Sequence, residues 1–111
     1  MSKKPTIYVV NKSSHDFSDA ERFGNLVFLT TGSVNRFNVS KMCREFEKHL
    51  KTSKRTDCIL LTSMNVMCCV ACGMFAALHG RLNLLIYRSD DTDSHYIKRI
   101  MVFDTTEKEK R

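Results

Sequence analysis

Three short polar runs concentrate small polar side chains, with a few charged ones, that could grip a ligand or move a proton. The first is Asn11-Lys12-Ser13-Ser14-His15-Asp16, with an amide, an ammonium, two hydroxyls, an imidazole and a carboxylate in consecutive positions. Backbone N–H groups in such a turn, close to a helix start, form a cradle for anions. Asn11, Ser13 and Ser14 can donate to phosphate oxygens, and Lys12 can balance their charge. His15 titrates near neutral pH and is the general base these runs offer. Asp16 is explained at least as well as the cap of a short helix.

The second run is Thr30-Thr31-Gly32-Ser33-Val34-Asn35-Arg36. Gly32 permits a positive φ or a close approach of backbone to ligand. Thr31, Ser33 and Asn35 can stabilise a turn or meet a ligand. Arg36 is the strongest single candidate for a phosphate or carboxylate, because its planar fork matches two oxygens at once. In the third run, Thr62-Ser63-Met64-Asn65, capping the next helix needs only one side chain. The remainder of Thr62, Ser63 and Asn65 must satisfy their polar groups with ligand or water.

No run carries a diagnostic signature. A Gly-x-Gly-x-x-Gly or Gly-Lys-Ser/Thr pattern is absent, which disfavours ordinary NAD or ATP binding, and Ser63 lacks the Gly-x-Ser-x-Gly elbow. Whether the chain is an enzyme stays open at this level. Cys68, Cys69 and Cys72 fall close together, but structural zinc takes four ligands and no second pair follows. An apolar packed helix explains them better. The sequence therefore predicts no metal and no cofactor.

Each run follows an apolar segment that reads as a strand, and this is what positions them. Thr6–Val10, Leu26–Thr30 and Cys58–Leu61 are the first three strands. Residues 18–23 fit one or two helical turns stopped by Gly24. Val39, Met42, Cys43, Phe46 and Leu50 trace one face of a helix capped by Asn38 or Ser40. Asn65–Leu78 reads as a second helix without charge, stopped at His79-Gly80. Leu82–Tyr87 and Tyr96–Phe103 are joined by a short polar turn, which predicts an antiparallel hairpin.

The expected fold class is therefore α/β: a small three-layer Rossmann-like domain with a mostly parallel sheet of about five strands and a C-terminal antiparallel β-hairpin. It occupies residues 1–104, with 105–111 a charged tail. Right-handed crossovers would bring the three polar runs to one sheet edge, where parallel sheets bind ligands. This order of elements resembles the small Rossmann-like nucleotide-sensing domains, including those that recognise cyclic oligoadenylates and bind at strand ends. The similarity is of architecture, and no motif residue is carried over on it.

Charge and composition add two readings. The net charge is +6, and Lys41, Arg44, Lys48 and Lys51 recur at helical spacing before Lys54 and Arg55. A solvated helix face accounts for this stripe, and so would an RNA- or DNA-binding footprint. Residues 59–78 are uncharged for the length of a membrane span, but the change from Ile-Leu-Leu to Met-Cys-Ala fits a strand followed by a helix. The expectation is a cytoplasmic, homo-oligomeric protein with no membrane partner and reduced thiols.

The leading functional expectation is a module that binds a nucleotide or other phosphate-bearing small molecule at its strand ends. The alternatives are nucleic-acid binding through residues 41–55, and metal-independent hydrolysis of a nucleotide signal with His15 as base.

Overall fold

Ile7-Tyr8-Val9 and Cys58-Ile59-Leu60 are apolar at every position because their strands are covered on both faces. The computed structural model describes residues 4–12, 16–89 and 94–103. Its strands are β1 (Thr6–Val9), β2 (Asn25–Phe28), β3 (Cys58–Leu60), β4 (Arg81–Ser89) and β5 (Ser94–Val102). Its helices are α1 (Val39–Leu50) and α2 (Asn65–His79), with a 3₁₀ turn at Ser18–Arg22.

The five strands form one sheet in the order β2-β1-β3-β4-β5. β1 pairs in parallel with β2 and β3, β3 pairs in parallel with β4, and β5 returns antiparallel to β4. The expectation of a mostly parallel Rossmann sheet is corrected here: this is an α/β domain with a mixed sheet. The parallel ladders hold four, three and two register pairs, whereas the antiparallel hairpin alone holds nine. The physical reason is strand length. β1, β2 and β3 are only three or four residues long, while β4 and β5 extend past them at both ends.

The two faces are unequally covered. α1 and α2 share one face, where Met42, Phe46, Leu50, Met67, Ala71 and Phe75 pack on Tyr8, Val10, Ile59, Leu82 and Leu84. The other face holds Ile7, Val9, Cys58, Leu60, Leu85 and Tyr96 beneath Phe17 and Ala20. The chain moves from β1 outward to β2 through the 3₁₀ turn, then back across β1 to β3 and β4 through α1 and α2. Crossovers of one hand that run in opposite directions must lie on opposite faces, as these do. The reversal falls between β1 and β3.

Local chemistry sets the element ends. Asn38 caps α1 by accepting from the Lys41 N–H at 3.1 Å. Gly80 ends α2 in the left-handed region, at φ 67°, and donates to Ala76 O. At the amino ends of the strands, Asp57 accepts from the N–H groups of Thr6 and Lys54, and Asn83 Nδ2 donates to the carbonyls of Arg55 and Asp57 at 2.7 Å. No helix among the described residues is long and apolar enough to cross a membrane. The uncharged segment is a strand and a helix, and α2 buries Met67, Cys68, Ala71 and Phe75 while leaving Cys69 exposed.

Candidate functional site

The crevice at a strand-order reversal is where open α/β sheets hold ligands, so the carboxyl ends of β1 and β3 are the place to build from. Past Val9 the first two polar runs zip together. Leu29 N–H donates to Val9 O at 2.8 Å, Lys12 N–H to Thr30 O at 2.9 Å, and the Thr30 hydroxyl to Val10 O at 2.6 Å. Lys12 and Thr31 form a parallel bridge beyond the strands.

Asn11 joins all three runs. Its Nδ2 donates to Gly32 O at 3.0 Å and lies 3.4 Å from the Met64 sulfur. The residue is only 5% exposed, and among the described residues its Oδ1 has no hydrogen-bond partner. A buried acceptor left unpaired costs about 1–3 kcal/mol. Gly32 turns the second run with φ 72°, which explains the glycine, since a side chain there would meet open space.

Met64 is also the N-cap of α2, and among the described residues no side chain caps that helix. Its first turn carries no acidic residue, so the positive end of the helix dipole is not offset locally. A cavity of about 310 Å³ opens on this helix start, lined by Arg36, Ser63, Met64, Asn65, Val66 and Met67. An uncapped helix N-terminus beside a guanidinium suits an anion, with Ser63 and Asn65 as further donors. Thr62 is committed elsewhere: its hydroxyl accepts from Met64 N–H, and its backbone is tied to the Cys68 thiol.

Ser63 has a second neighbour space on its other side. Leu61, Thr62 and Ser63 form one wall of a cavity of about 410 Å³, and Phe17, Ile86, Tyr87 and Tyr96 form the other. The hairpin supplies Ile86, Tyr87 and Tyr96 of this wall because β4 and β5 run past the end of β3, and Phe17 comes from the start of the 3₁₀ turn. Tyr87 and Tyr96 meet edge to face at 5.1 Å. Burial, with lesser contributions from Tyr87, Asp19 and Asp16, pushes the Tyr96 phenol up to about 12, so it is neutral at physiological pH. Sequence reasoning missed Phe17, Tyr87 and Tyr96. The only local signal was an aromatic on each side of the polar hairpin turn.

The remaining sequence candidates divide. Arg36, Ser63 and Asn65 converge on α2, and Asn11 and Gly32 support them from behind. Thr31, Ser33 and Asn35 instead line a cavity of about 580 Å³ with Asn38, Lys41 and Glu45. There Asn35 also holds its own turn, accepting from Phe37 N–H. Lys12 points away, its ammonium 5.6 Å from the Phe28 ring centre. Ser13, Ser14 and His15 lie outside the described residues. Asp16 accepts from Ser18 N–H at 2.9 Å, a contact within the turn that precedes the N-cap Phe17. The 3₁₀ turn has no side-chain cap among the described residues, so the capping role considered for Asp16 is not the one it takes.

The basic positions Lys41, Arg44, Lys48, Lys51, Lys54 and Arg55 are all exposed, and Lys48 pairs with Glu45 at 3.4 Å. Lys41 faces the carboxyl end of the sheet, while Lys48 and Lys54 line a cavity of about 630 Å³ at the opposite end. That cavity is the most spacious of those described, yet its Asp57 carboxylate already accepts from two backbone N–H groups. Among the described residues no group of three or more His, Cys, Asp or Glu could hold a metal ion.

A family model described as phage Pam3 gp32-like protein matches residues 5–101, from before β1 almost to the end of β5. No curated protein and no solved structure matches the chain.

Proposed function

This chain belongs to the phage Pam3 gp32-like protein family, and we propose that it is a small binding module for a nucleotide or closely related phosphate ester, held at the carboxyl ends of β1 and β3. One observation carries the reading: the uncapped start of α2 faces Arg36 across a cavity floored by Met64, which touches the buried and half-satisfied Asn11. The phosphate sits on the first-turn N–H groups of α2 and pairs with Arg36. The aromatic cavity on the far side of Ser63 accepts the ring of the same ligand, sandwiched toward Phe17 and Tyr87. The Rossmann-like crevice expected from the element order belongs to this proposal as well, and the strand-order reversal between β1 and β3 supports it.

Titration calorimetry with nucleoside monophosphates tests it. Loss of one charge-assisted pair is worth about 1.5–3 kcal/mol, so Arg36→Ala should weaken binding about 10-fold or more. No binding across the nucleotide panel, with Arg36→Ala leaving every property unchanged, would sink the proposal.

A second reading is supported by the exposure of all six basic side chains along α1 and the turn after it. Under it the protein binds RNA or DNA through residues 41–55, with affinity that falls steeply as salt rises. Arg44→Glu combined with Lys48→Glu should abolish nucleic-acid retention. Unchanged retention in that double variant removes the reading.

A further inference from the structure

β5 is an edge strand, and its outward backbone groups are satisfied along only half its length. Leu85 O accepts from Leu61 N–H, so Leu85 turns its groups to β3, and its partner Lys98 turns outward. By alternation Tyr96, Lys98, Ile100 and Val102 all present N–H and C=O to the open side. At Tyr96 the 3₁₀ turn stands in for a neighbouring strand: Asp19 Oδ2 accepts its N–H at 2.8 Å, and Arg22 Nη2 donates to its carbonyl at 2.7 Å. The Lys98 carbonyl accepts from Arg99 Nη1 at 2.9 Å. Among the described residues nothing meets the outward groups of Ile100 and Val102.

The same short segment holds the densest exposed apolar surface described. Ile100, Met101, Val102 and Phe103 are 50%, 46%, 62% and 47% exposed, and Leu78 at the end of α2 is 54% exposed. These side chains lie on both faces of the sheet. Ile100 and Val102 share the face of Tyr96, and Met101 shares the helix face with Leu82. An open, apolar edge is a template for another strand.

We infer that two copies of this chain pair through β5, antiparallel about a two-fold axis at Met101. A two-fold interface must be self-complementary, and this segment meets that requirement residue by residue. Ile100 lies opposite Val102 of the second copy, so the four open groups of each strand find partners and no capped group is disturbed. Arg99 lies opposite an aromatic ring, Phe103, rather than a like charge. Ile100 and Val102 of both copies close over one face, and Met101 and Phe103 of both close over the other. The two sheets become one ten-stranded sheet. The inference stands independently of the ligand reading, since it uses none of the carboxyl-end residues.

Sedimentation velocity on the full chain across micromolar concentrations tests it, with circular dichroism as the fold control. The wild type should sediment at twice 12.8 kDa. Ile100→Lys places a charge in the apolar contact and should raise the dissociation constant at least 10-fold. The double variant Ile100→Lys with Val102→Glu sets opposite charges against each other across the axis and should recover dimer. A wild-type monomer at every concentration overturns the inference. So does a dimer indifferent to Ile100→Lys, or a double variant that dissociates further than the single one.

Discussion

Two asparagines are almost completely buried in this domain, at opposite ends of the sheet, and truncating each to alanine should give opposite results. Asn83 is 1% exposed and Asn11 5%, so Asn→Ala removes the same atoms from comparably closed sites and leaves similar cavities. The difference between the two variants therefore reports the polar groups left behind. Asn83→Ala strands two carbonyls, Arg55 O and Asp57 O, that now receive bonds of 2.7 Å. Each buried group left unpaired costs about 1–3 kcal/mol, of which the more exposed Arg55 carbonyl takes the lower end. Asn11→Ala strands Gly32 O, in an exposed residue that water can reach, together with the weakly accepting Met64 sulfur, and it also deletes the unpaired Oδ1. Its polar balance is near zero or favourable. The expected gap is about 3 kcal/mol, roughly two powers of ten in the folding equilibrium. Urea titration reads this as a midpoint difference of about 1.5 M for a slope of about 2 kcal/mol/M. The reasoning is refuted if Asn11→Ala is as destabilising as Asn83→Ala. That outcome would make Asn11 a structural tie and not a group kept for a ligand.

Acid should loosen the contact between the 3₁₀ turn and β5. Acceptance of the Tyr96 N–H, more than the neighbouring Arg22, holds the Asp19 carboxyl below its ordinary 3.8. A depressed carboxyl stabilises the fold above that ordinary value and stops doing so as pH falls through the lower folded one. Hydrogen exchange at Tyr96 should accordingly accelerate only below about pH 4, and constant protection down to strong acid would contradict this. Thiol chemistry should sort by burial: Cys69 is exposed and alkylates first, whereas burial pushes the Cys72 thiol up to about 12 and holds it back. Peptide mapping after brief iodoacetamide treatment near pH 8 checks the order, and Cys72 reacting ahead of Cys69 would be the wrong result. Alkali should destabilise the hairpin, because the Tyr96 phenol ionises near 10 when unfolded and about 12 when folded. Stability should thus fall between those two values, and a Tyr96→Phe variant should lose the Tyr96 share of that fall while keeping the share of Tyr8, Cys58 and Cys72, which burial also raises.

How much of this was legible in the sequence depends on how far apart the partners lie. α1 could be read because its buried Met42, Phe46 and Leu50 and its Asn38 cap fall within one helix. The stop at Gly80 and the hairpin were equally local. The mixed sheet was not legible, because the short parallel ladders depend on where crossovers release the chain, not on strand composition. The site shows the same division. Arg36 and Ser63 were visible as residue types, but their meeting at an uncapped helix was not. The sequence reading expected a side chain from the third run to cap α2, and Met64 took that position without a capping bond. Phe17 and Tyr96 are distant in sequence and meet only because the hairpin outruns β3. Asp19 and Tyr96, which close half of the β5 edge, are 77 positions apart.

The strand order also fixes a sequence of events during synthesis. β1 leaves the ribosome before the other four strands of this sheet, yet it ends up inside the sheet, and its ladder to β3 joins Ile7 to Cys58. Until residue 60 has emerged, β1 can pair only with β2, through four residues. Its other side, apolar on both faces, stays open for that interval. Such long-range parallel pairing is slow to form and exposes unpaired edges to other nascent chains. β4 and β5 are adjacent in the chain and can form their hairpin as soon as both are made. Assembly of the sheet is therefore limited by the insertion of β3 between a waiting β1 and a late, self-sufficient hairpin, and replacements that weaken β3 should lower the yield of folded protein more than they lower its final stability.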